Sequence, residues 1–169
     1  MRNLLGQSDP MRLLTLLILT TTFHISASGQ HLTGKYNAYY GHSLELKDDS
    51  TFRYEWRFDL VKNWAVGQWS FSNDIVTLKF SDVYDTLIRP NKPDSLVLSM
   101  DDKSSKIKNE EFASTQLVSG GQSHSDITNR LIVKRKRLYL MDNDGRPSKI
   151  KQRGIWTKKK RPTYYFRTD

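Results

Sequence analysis

Cysteine is absent from this chain, and its absence removes several kinds of stabilisation and chemistry at once. Without a thiol there is no disulfide, no thiolate zinc site, no cysteine nucleophile and no cysteine to carry a lipid. The core of the 169-residue chain must therefore be stabilised by packing alone. The chain is long enough for this, because a domain of about 150 residues buries roughly 68–70% of its unfolded surface.

Sequence motifs for catalysis, cofactors and metals are absent as well. The chain contains no Gly-x-Ser-x-Gly elbow, no phosphate loop and no dinucleotide fingerprint. Asp142–Gly145 has the start of a calcium loop but lacks the distal Glu, so this segment favours a hairpin turn. No spacing typical of metal ligands relates the histidines after residue 30, which are His31, His42 and His124. We therefore expect a protein that is not an enzyme, with no catalytic residue, cofactor or metal site.

Long hydrophobic runs are also missing, apart from one short run near the N-terminus. Arg12 precedes an apolar run at 13–19, and small residues follow at 26–29. These are the three parts of an export signal, and the run is shorter than the roughly 20 residues that span a bilayer. We predict a signal peptide over 1–29 that starts at Met1 or Met11 and is cleaved after Gly29. The mature domain, 30–169, would then be periplasmic or extracellular, with no transmembrane anchor.

The strongest pattern in the chain is an alternation of apolar and polar residues over 44–80. Between residues 51 and 60 every second residue is apolar, and these residues are Phe52, Tyr54, Trp56, Phe58 and Leu60. A period of two predicts a strand with one buried face. The polar pair Lys62-Asn63 predicts a connection at the end of this strand. Strands at 65–72 and 75–80 follow, joined by a turn at 72–74.

Weaker strand patterns lie on both sides of this stretch. The segments are 32–40, 43–47, 84–88, 95–100, 131–133, 138–141 and 163–167. The last of them is expected to close the sheet against 32–40, and a basic hairpin tip is expected at 134–137. Polar residues predict a long mobile loop over 101–129, with a helical turn around 110–116. Eight or nine short strands joined by tight turns predict an all-β fold, as an antiparallel up-and-down barrel or, alternatively, a β-sandwich.

Several of these strands resemble the lipocalin-like (calycin-type) small barrels of exported bacterial proteins. The resemblance covers residues 32–80. The motifs that carry it are Gly34-Lys35-Tyr36, the hairpin Leu46–Phe52, Gly67-Gln68-Trp69 and the hairpin Asn73–Leu78. A further Gly-x-Trp occurs at 154–156, and glycine beside an aromatic residue allows a strand to bend as a barrel requires. The resemblance implies a barrel that holds an apolar ligand or one whose interior is filled.

A set of aromatic residues is expected to face the barrel interior, and it forms a candidate ligand site. These residues are Tyr36, Tyr54, Trp56, Trp69 and Phe71. Eight-stranded barrels are just wide enough to be filled by side chains or to hold one small ligand. The pattern thus leaves two functions open: a binding protein for a small apolar ligand, or a structural or interaction module with a filled core and no ligand.

Basic residues are concentrated near the C-terminus. Residues 130–169 contain 14 Lys or Arg and 3 Asp, whereas residues 30–129 contain 11 Lys or Arg and 14 Asp or Glu. Such asymmetry indicates a surface that faces a polyanion. The candidate anion-binding residues are Lys134, Arg135, Lys136, Arg137, Lys158, Lys159, Lys160 and Arg161. For an exported chain, the expected partner is an anionic component of the cell envelope rather than nucleic acid.

Overall fold

The computed structural model describes residues 31–116, 120–125 and 127–169, so the predicted signal peptide and its cleavage site lie outside the described residues. The elements in chain order are β1 (Gly34–Asn37), β2 (His42–Leu46), β3 (Thr51–Phe58), β4 (Val61–Ser72), β5 (Ile75–Ser81), β6 (Tyr84–Ile88), β7 (Ser95–Leu98), β8 (Lys106–Lys108), α1 (Asn109–Gln116), β9 (Arg130–Lys134), β10 (Arg137–Leu140), β11 (Lys151–Arg153), β12 (Lys160–Pro162) and β13 (Tyr165–Arg167).

Eight of these strands form a closed antiparallel barrel in the order β1-β13-β10-β9-β5-β4-β3-β2. Closure depends on the C-terminal strand, because β13 pairs with both β1 and β10. The prediction of an all-β up-and-down barrel is confirmed, and so is the pairing of the last strand with the first. A closed barrel leaves no open sheet edge, which makes it a stable solution for a chain without disulfides.

The two ends of the barrel differ in what connects their strands. One end, here called the turn end, carries the tight turns at 47–50, 73–74 and 135–136. The other, here called the insertion end, carries the turns at 38–41 and 59–60. Both long insertions also leave the barrel there: β6–β8 with α1 lie between β5 and β9, and β11–β12 lie between β10 and β13.

Inward-facing side chains from all eight strands form one core cluster. Its barrel members are Tyr36, Leu44, Leu46, Phe52, Tyr54, Ala65, Trp69, Val76, Leu78, Leu131, Leu138 and Tyr165. Their spacing follows the two-residue period of the strands, which directs alternate side chains to the inside. The interior is therefore occupied by the protein's own side chains, as is typical of small barrels.

Gly67 allows two strands to pack closely inside this barrel. Its φ angle is 158°, and a Cβ built at this position would overlap the backbone oxygen of Lys79 and press on the ring of Phe52. The ring of Phe52 also meets Phe80 edge-on, at 5.7 Å between ring centroids. Glycine at this position thus provides the space that the core aromatic residues use.

The hairpin β3–β4 differs from the sequence prediction in two respects. The predicted connection at Lys62-Asn63 is wrong, because the chain turns at Asp59-Leu60 and both polar residues belong to β4. Asp59 adopts a φ of 54°, a left-handed conformation that Asp tolerates better than most residues. Phe58 and Leu60 were predicted to face the core, but they are 43% and 77% exposed because this hairpin continues past the barrel rim.

The segment 101–129 was predicted as a long mobile loop, but the structure places β8 and α1 in its first half. The predicted helical turn around 110–116 is confirmed by α1. Strands β6, β7 and β8 form a small separate sheet against the outside of the barrel. Trp64 points outward from β4 into this layer and is buried, and its indole N–H donates a hydrogen bond of 3.0 Å to the carbonyl of Met100. The insertion is therefore packed on the barrel.

In the described part of the chain, no helix has the length and apolar character needed to cross a membrane.

Candidate functional site

An open cleft with a volume of about 770 Å³ lies at the insertion end, between the barrel rim and the β11–β12 hairpin. Residues 40–42 and 56–59 form its barrel wall, and residues 152–157 form its hairpin wall. Its size falls within the range of about 300–1,000 Å³ that is usual for small-molecule sites. We refer to it below as the mouth cleft.

The barrel wall of the mouth cleft is an aromatic surface. The rings of Trp56 and Phe58 are nearly parallel, at 6.3 Å between centroids and 12° between planes. The indole N–H of Trp56 donates a hydrogen bond of 3.1 Å to the carbonyl of Tyr40. This bond fixes the orientation of the indole and satisfies its polar atom, so the ring offers apolar surface to the cleft.

A polar pair connects this wall to the core. His42 Nδ1 lies 2.9 Å from the hydroxyl of the buried Tyr54, and its ring centroid lies 6.1 Å from that of Trp56. Strand register explains the grouping, because His42 pairs with Trp56 and Leu44 pairs with Tyr54 across β2 and β3. A packed, hydrogen-bonded histidine of this kind gives the cleft one polar group of defined position.

The hairpin wall is attached to the barrel through Tyr40. The Tyr40 hydroxyl donates a hydrogen bond of 3.1 Å to the carbonyl of Gln152. Gly154 lies directly against the Tyr40 ring, where a Cβ would overlap it. At the tip of the hairpin, Ile155 is 70% exposed and Trp156 is 92% exposed. Almost an entire indole thus lies in solvent beside the cleft.

The aromatic residues that were predicted to bind a ligand lie in different surroundings. Tyr36, Tyr54 and Trp69 are buried in the core cluster. The Tyr36 hydroxyl donates a hydrogen bond of 2.8 Å to the carbonyl of Leu32, and burial raises the pKa of this phenol. Phe71 is half-buried and packs against the core near the turn end of the barrel. Of the five predicted residues, Trp56 is the one that lines the mouth cleft.

Sequence reasoning missed most of the mouth cleft. The sequence predicts a strand position for Tyr40 and a core position for Phe58, and it predicts no site at residues 152–157. One signal was present in the sequence, because the Gly-x-Trp fragment at 154–156 repeats the pattern of the core glycine and tryptophan at 67–69. This fragment contributes to the cleft because its insertion folds beside the barrel rim. A local sequence pattern does not show where an insertion folds.

The two basic runs lie at opposite ends of the barrel. Lys134–Arg137 forms the β9–β10 turn at the turn end, whereas Lys158–Arg161 belongs to the β11–β12 hairpin at the insertion end. Each run places one guanidinium over an aromatic ring. Arg137 lies 4.6 Å from the ring centroid of Tyr164, and Arg161 lies 4.9 Å from that of Tyr39. The structure thus separates the candidate anion-binding residues into two groups.

A charge cluster on the outside of β3 and β4 continues to the rim of the cleft. Glu55 pairs with Arg53 at 2.6 Å, with Arg57 at 2.7 Å and with Lys62 at 3.2 Å, and Arg53 also pairs with Asp102. Burial alone would raise the pKa of Glu55, but the hydrogen bonds from these three cations lower it to about 2. Glu55 is therefore ionised near neutral pH and holds Arg57 beside the cleft.

Among residues 31–116, 120–125 and 127–169, no group of three or more His, Asp or Glu side chains is arranged to hold a metal ion.

Comparisons with known proteins return no match for this chain. No protein-family model matches it. No curated protein and no solved structure matches it either. The assignment of a function therefore depends on the geometry and charge of the molecule itself.

Proposed function

We propose that this protein is an exported, lipocalin-like binding protein without enzymatic activity, which holds a small apolar ligand in the mouth cleft. The observation that carries the proposal is the aromatic wall formed by Trp56 and Phe58 in a cleft of about 770 Å³. Predominantly apolar lining with a few fixed polar groups is the usual chemistry of small-molecule sites.

The proposed ligand lies at the barrel mouth because the interior is already filled. All eight strands contribute side chains to the core cluster, and the polar side-chain atoms of Tyr36, Tyr54 and Trp69 have partners inside the protein. A ligand inside would have to displace buried side chains, which pack at close to crystal density. The mouth cleft offers aromatic surface without that cost.

The cleft walls favour a ring-bearing ligand with an anionic substituent. Flat apolar rings stack on the faces of Trp56 and Phe58. Arg57 and Arg153 also line the cleft, and the guanidinium fork suits carboxylate or sulfonate groups. The polar link between His42 and Tyr54 lies beneath the aromatic wall. A ligand with one apolar and one acidic part would use all of these groups.

A second function is favoured by the filled interior. In this alternative the protein is a structural or interaction module that takes no small ligand, and the packed core cluster supports it. Exposed Leu96 and Leu98 on β7 would then mark a contact surface. The two functions differ in what the mouth cleft binds, so one binding assay separates them.

The assay is a fluorescence titration with anilinonaphthalene sulfonate, an aromatic anion. We expect saturable binding to the folded protein and about tenfold weaker binding to Phe58→Ala, since one aromatic contact contributes about 0.5–1.5 kcal/mol beyond its buried area. Leu96→Ala is the matched control, because Leu96 is 69% exposed and lies away from the cleft. Absence of binding, or equal binding by the Phe58 variant, would favour the module with no ligand.

A further inference from the structure

Large apolar side chains are exposed at two neighbouring tips of the insertion end. Leu60 in the β3–β4 turn is 77% exposed, and Ile155 and Trp156 at the β11–β12 tip are 70% and 92% exposed. Ile150, which precedes β11, is also exposed. Single exposed apolar residues are common, but a group of large ones on adjacent tips marks an interaction site.

The same end carries a dense positive charge. Residues 149–161 include seven basic side chains and no acidic one, and the basic residues are Lys149, Lys151, Arg153, Lys158, Lys159, Lys160 and Arg161. The turn end provides a comparison within the molecule. It has its own basic run at Lys134–Arg137, but its turns at 47–50, 73–74 and 135–136 contain no large apolar residue.

We propose that the insertion end docks onto an anionic lipid bilayer. Leu60, Ile155 and Trp156 enter the interfacial layer, while the cations of the β11–β12 hairpin contact acidic headgroups. Tryptophan suits this position, since its ring is apolar and its N–H remains in contact with water and headgroups. Stable attachment to a membrane takes two signals, and this end combines apolar insertion with a basic cluster.

The side chains favour lipid over nucleic acid as the anionic partner. Binding of single strands relies on aromatic ring faces placed along a basic groove, on which bases stack. At the insertion end Trp156 and Phe58 expose aromatic rings, but Leu60, Ile150 and Ile155 are aliphatic and have no such face. The ring of Tyr39 is covered by the guanidinium of Arg161. Aliphatic side chains beside lysines match the acyl boundary and headgroups of a bilayer instead.

Docking and the mouth cleft share Ile155 and Trp156, whereas Leu60 lies outside the cleft. If both proposals hold, the cleft opens next to the membrane surface, so an apolar ligand can pass between bilayer and cleft without crossing bulk water. The two proposals can nevertheless fail separately. Leu60→Glu should leave anilinonaphthalene sulfonate binding unchanged while it weakens docking.

The experiment is co-flotation of the full chain with vesicles of phosphatidylcholine alone or of phosphatidylcholine with phosphatidylglycerol. We expect flotation with the anionic vesicles and a drop of at least tenfold for the double variant Leu60→Glu, Trp156→Glu. Both side chains are mostly exposed, so the fold should tolerate these changes. All variants share one N-terminus, so residues before Gln30 cannot explain a difference between them.

A matched pair of charge reversals locates the contact. Lys158→Glu with Lys159→Glu should remove flotation, whereas Lys134→Glu with Arg135→Glu makes the same charge change at the turn end and should leave flotation intact. Tryptophan emission gives a second measurement. Emission of the wild type should shift to the blue with anionic vesicles, and Trp156→Phe should lose most of this shift, because Trp64 and Trp69 are buried and Trp56 is half-buried.

Three results would overturn docking at the insertion end. The first is no flotation of the wild type with anionic vesicles. The second is an equal loss of flotation for the two charge-reversal variants, which would indicate attraction by net charge alone. The third is binding to a single-stranded oligonucleotide that Leu60→Glu leaves unchanged, together with no vesicle binding, which would assign this end to nucleic acid.

Discussion

At the scale of single residues, the four tryptophans show how surroundings decide the role of one residue type. Trp64 and Trp69 are buried, and each indole N–H donates to a backbone carbonyl. Trp56 makes the same kind of bond but keeps one ring face in the mouth cleft. Trp156 is 92% exposed at a hairpin tip. The first pair stabilises the fold, and the other two are available for binding.

Glu55 gives a prediction about stability and pH. Its pKa of about 2 in the folded protein lies below the ordinary value of 4.5, so its ion pairs stabilise the fold above pH 4.5. This contribution is lost as the pH falls from 4.5 through 2. We expect Glu55→Gln to lower the free energy of unfolding at neutral pH by on the order of 2 kcal/mol, as measured by urea denaturation.

The difference between wild type and Glu55→Gln should shrink as the solution is acidified towards the folded-state pKa. Glu45→Gln is the control, because Glu45 forms a long ion pair of 4.0 Å with the exposed Lys35. Such surface pairs contribute at most about 1 kcal/mol. A constant difference between wild type and Glu55→Gln from neutral to acid would show that the carboxylate charge is not what stabilises the cluster.

The residue scale also shows what the alternation in the sequence leaves open. A period of two correctly places Tyr36, Tyr54 and Trp69 on the inner face of the barrel. It does not distinguish an inner face that is packed from one that lines a cavity, since both require apolar residues. Trp56 differs from the other three because it lies at the rim, and its depth depends on where the strands end.

At the scale of elements, turns and strand ends were the least predictable parts. The hydrophobic pattern of β3 continues through Phe58 and Leu60, although the chain turns at Asp59-Leu60. Both residues are exposed at the insertion end, where Phe58 lines the mouth cleft and Leu60 belongs to the proposed docking surface. In the sequence alternation, an apolar residue that serves binding cannot be distinguished from one that packs in the core.

The β11–β12 hairpin, which forms one wall of the mouth cleft, was hard to predict from the sequence for a related reason. Strands β11 and β12 have three residues each and consist mostly of basic and polar residues. Such short strands show no period that could be recognised. Contacts with distant residues hold the hairpin in place, for example the hydrogen bond from the Tyr40 hydroxyl to Gln152. Contacts between residues this far apart in sequence are not visible in a local pattern.

Gly67 gives a prediction at this scale, because it sets the packing of β4 against β5. We expect Gly67→Ala to lower the free energy of unfolding by on the order of 3 kcal/mol, since a Cβ would overlap the Lys79 carbonyl. Thermal or urea denaturation measures this change. The matched control is Gly121→Ala, where a Cβ would make ordinary contact with Met100 and the change should stay within about 0.5 kcal/mol. Equal stability of the two variants would contradict the close packing described for β4 and β5.

At the scale of the whole molecule, the barrel separates two ends with different chemistry. The sequence predicted the closed antiparallel barrel and the basic character of residues 130–169. It did not predict that this charge divides into a turn-end group and an insertion-end group. That division follows from the strand order, because β10 crosses the barrel between the two basic runs. The exposed apolar tips, the mouth cleft and one basic run therefore lie together.

The most direct test of the central claim asks where a bound ligand lies. Amide chemical shifts should be recorded while anilinonaphthalene sulfonate is titrated into the protein. We predict shifts that concentrate at the cleft residues Gly41, Phe58 and Ile155. Shifts that concentrate instead at the core residues Leu44, Val76 and Leu131 would contradict binding at the mouth of a filled barrel.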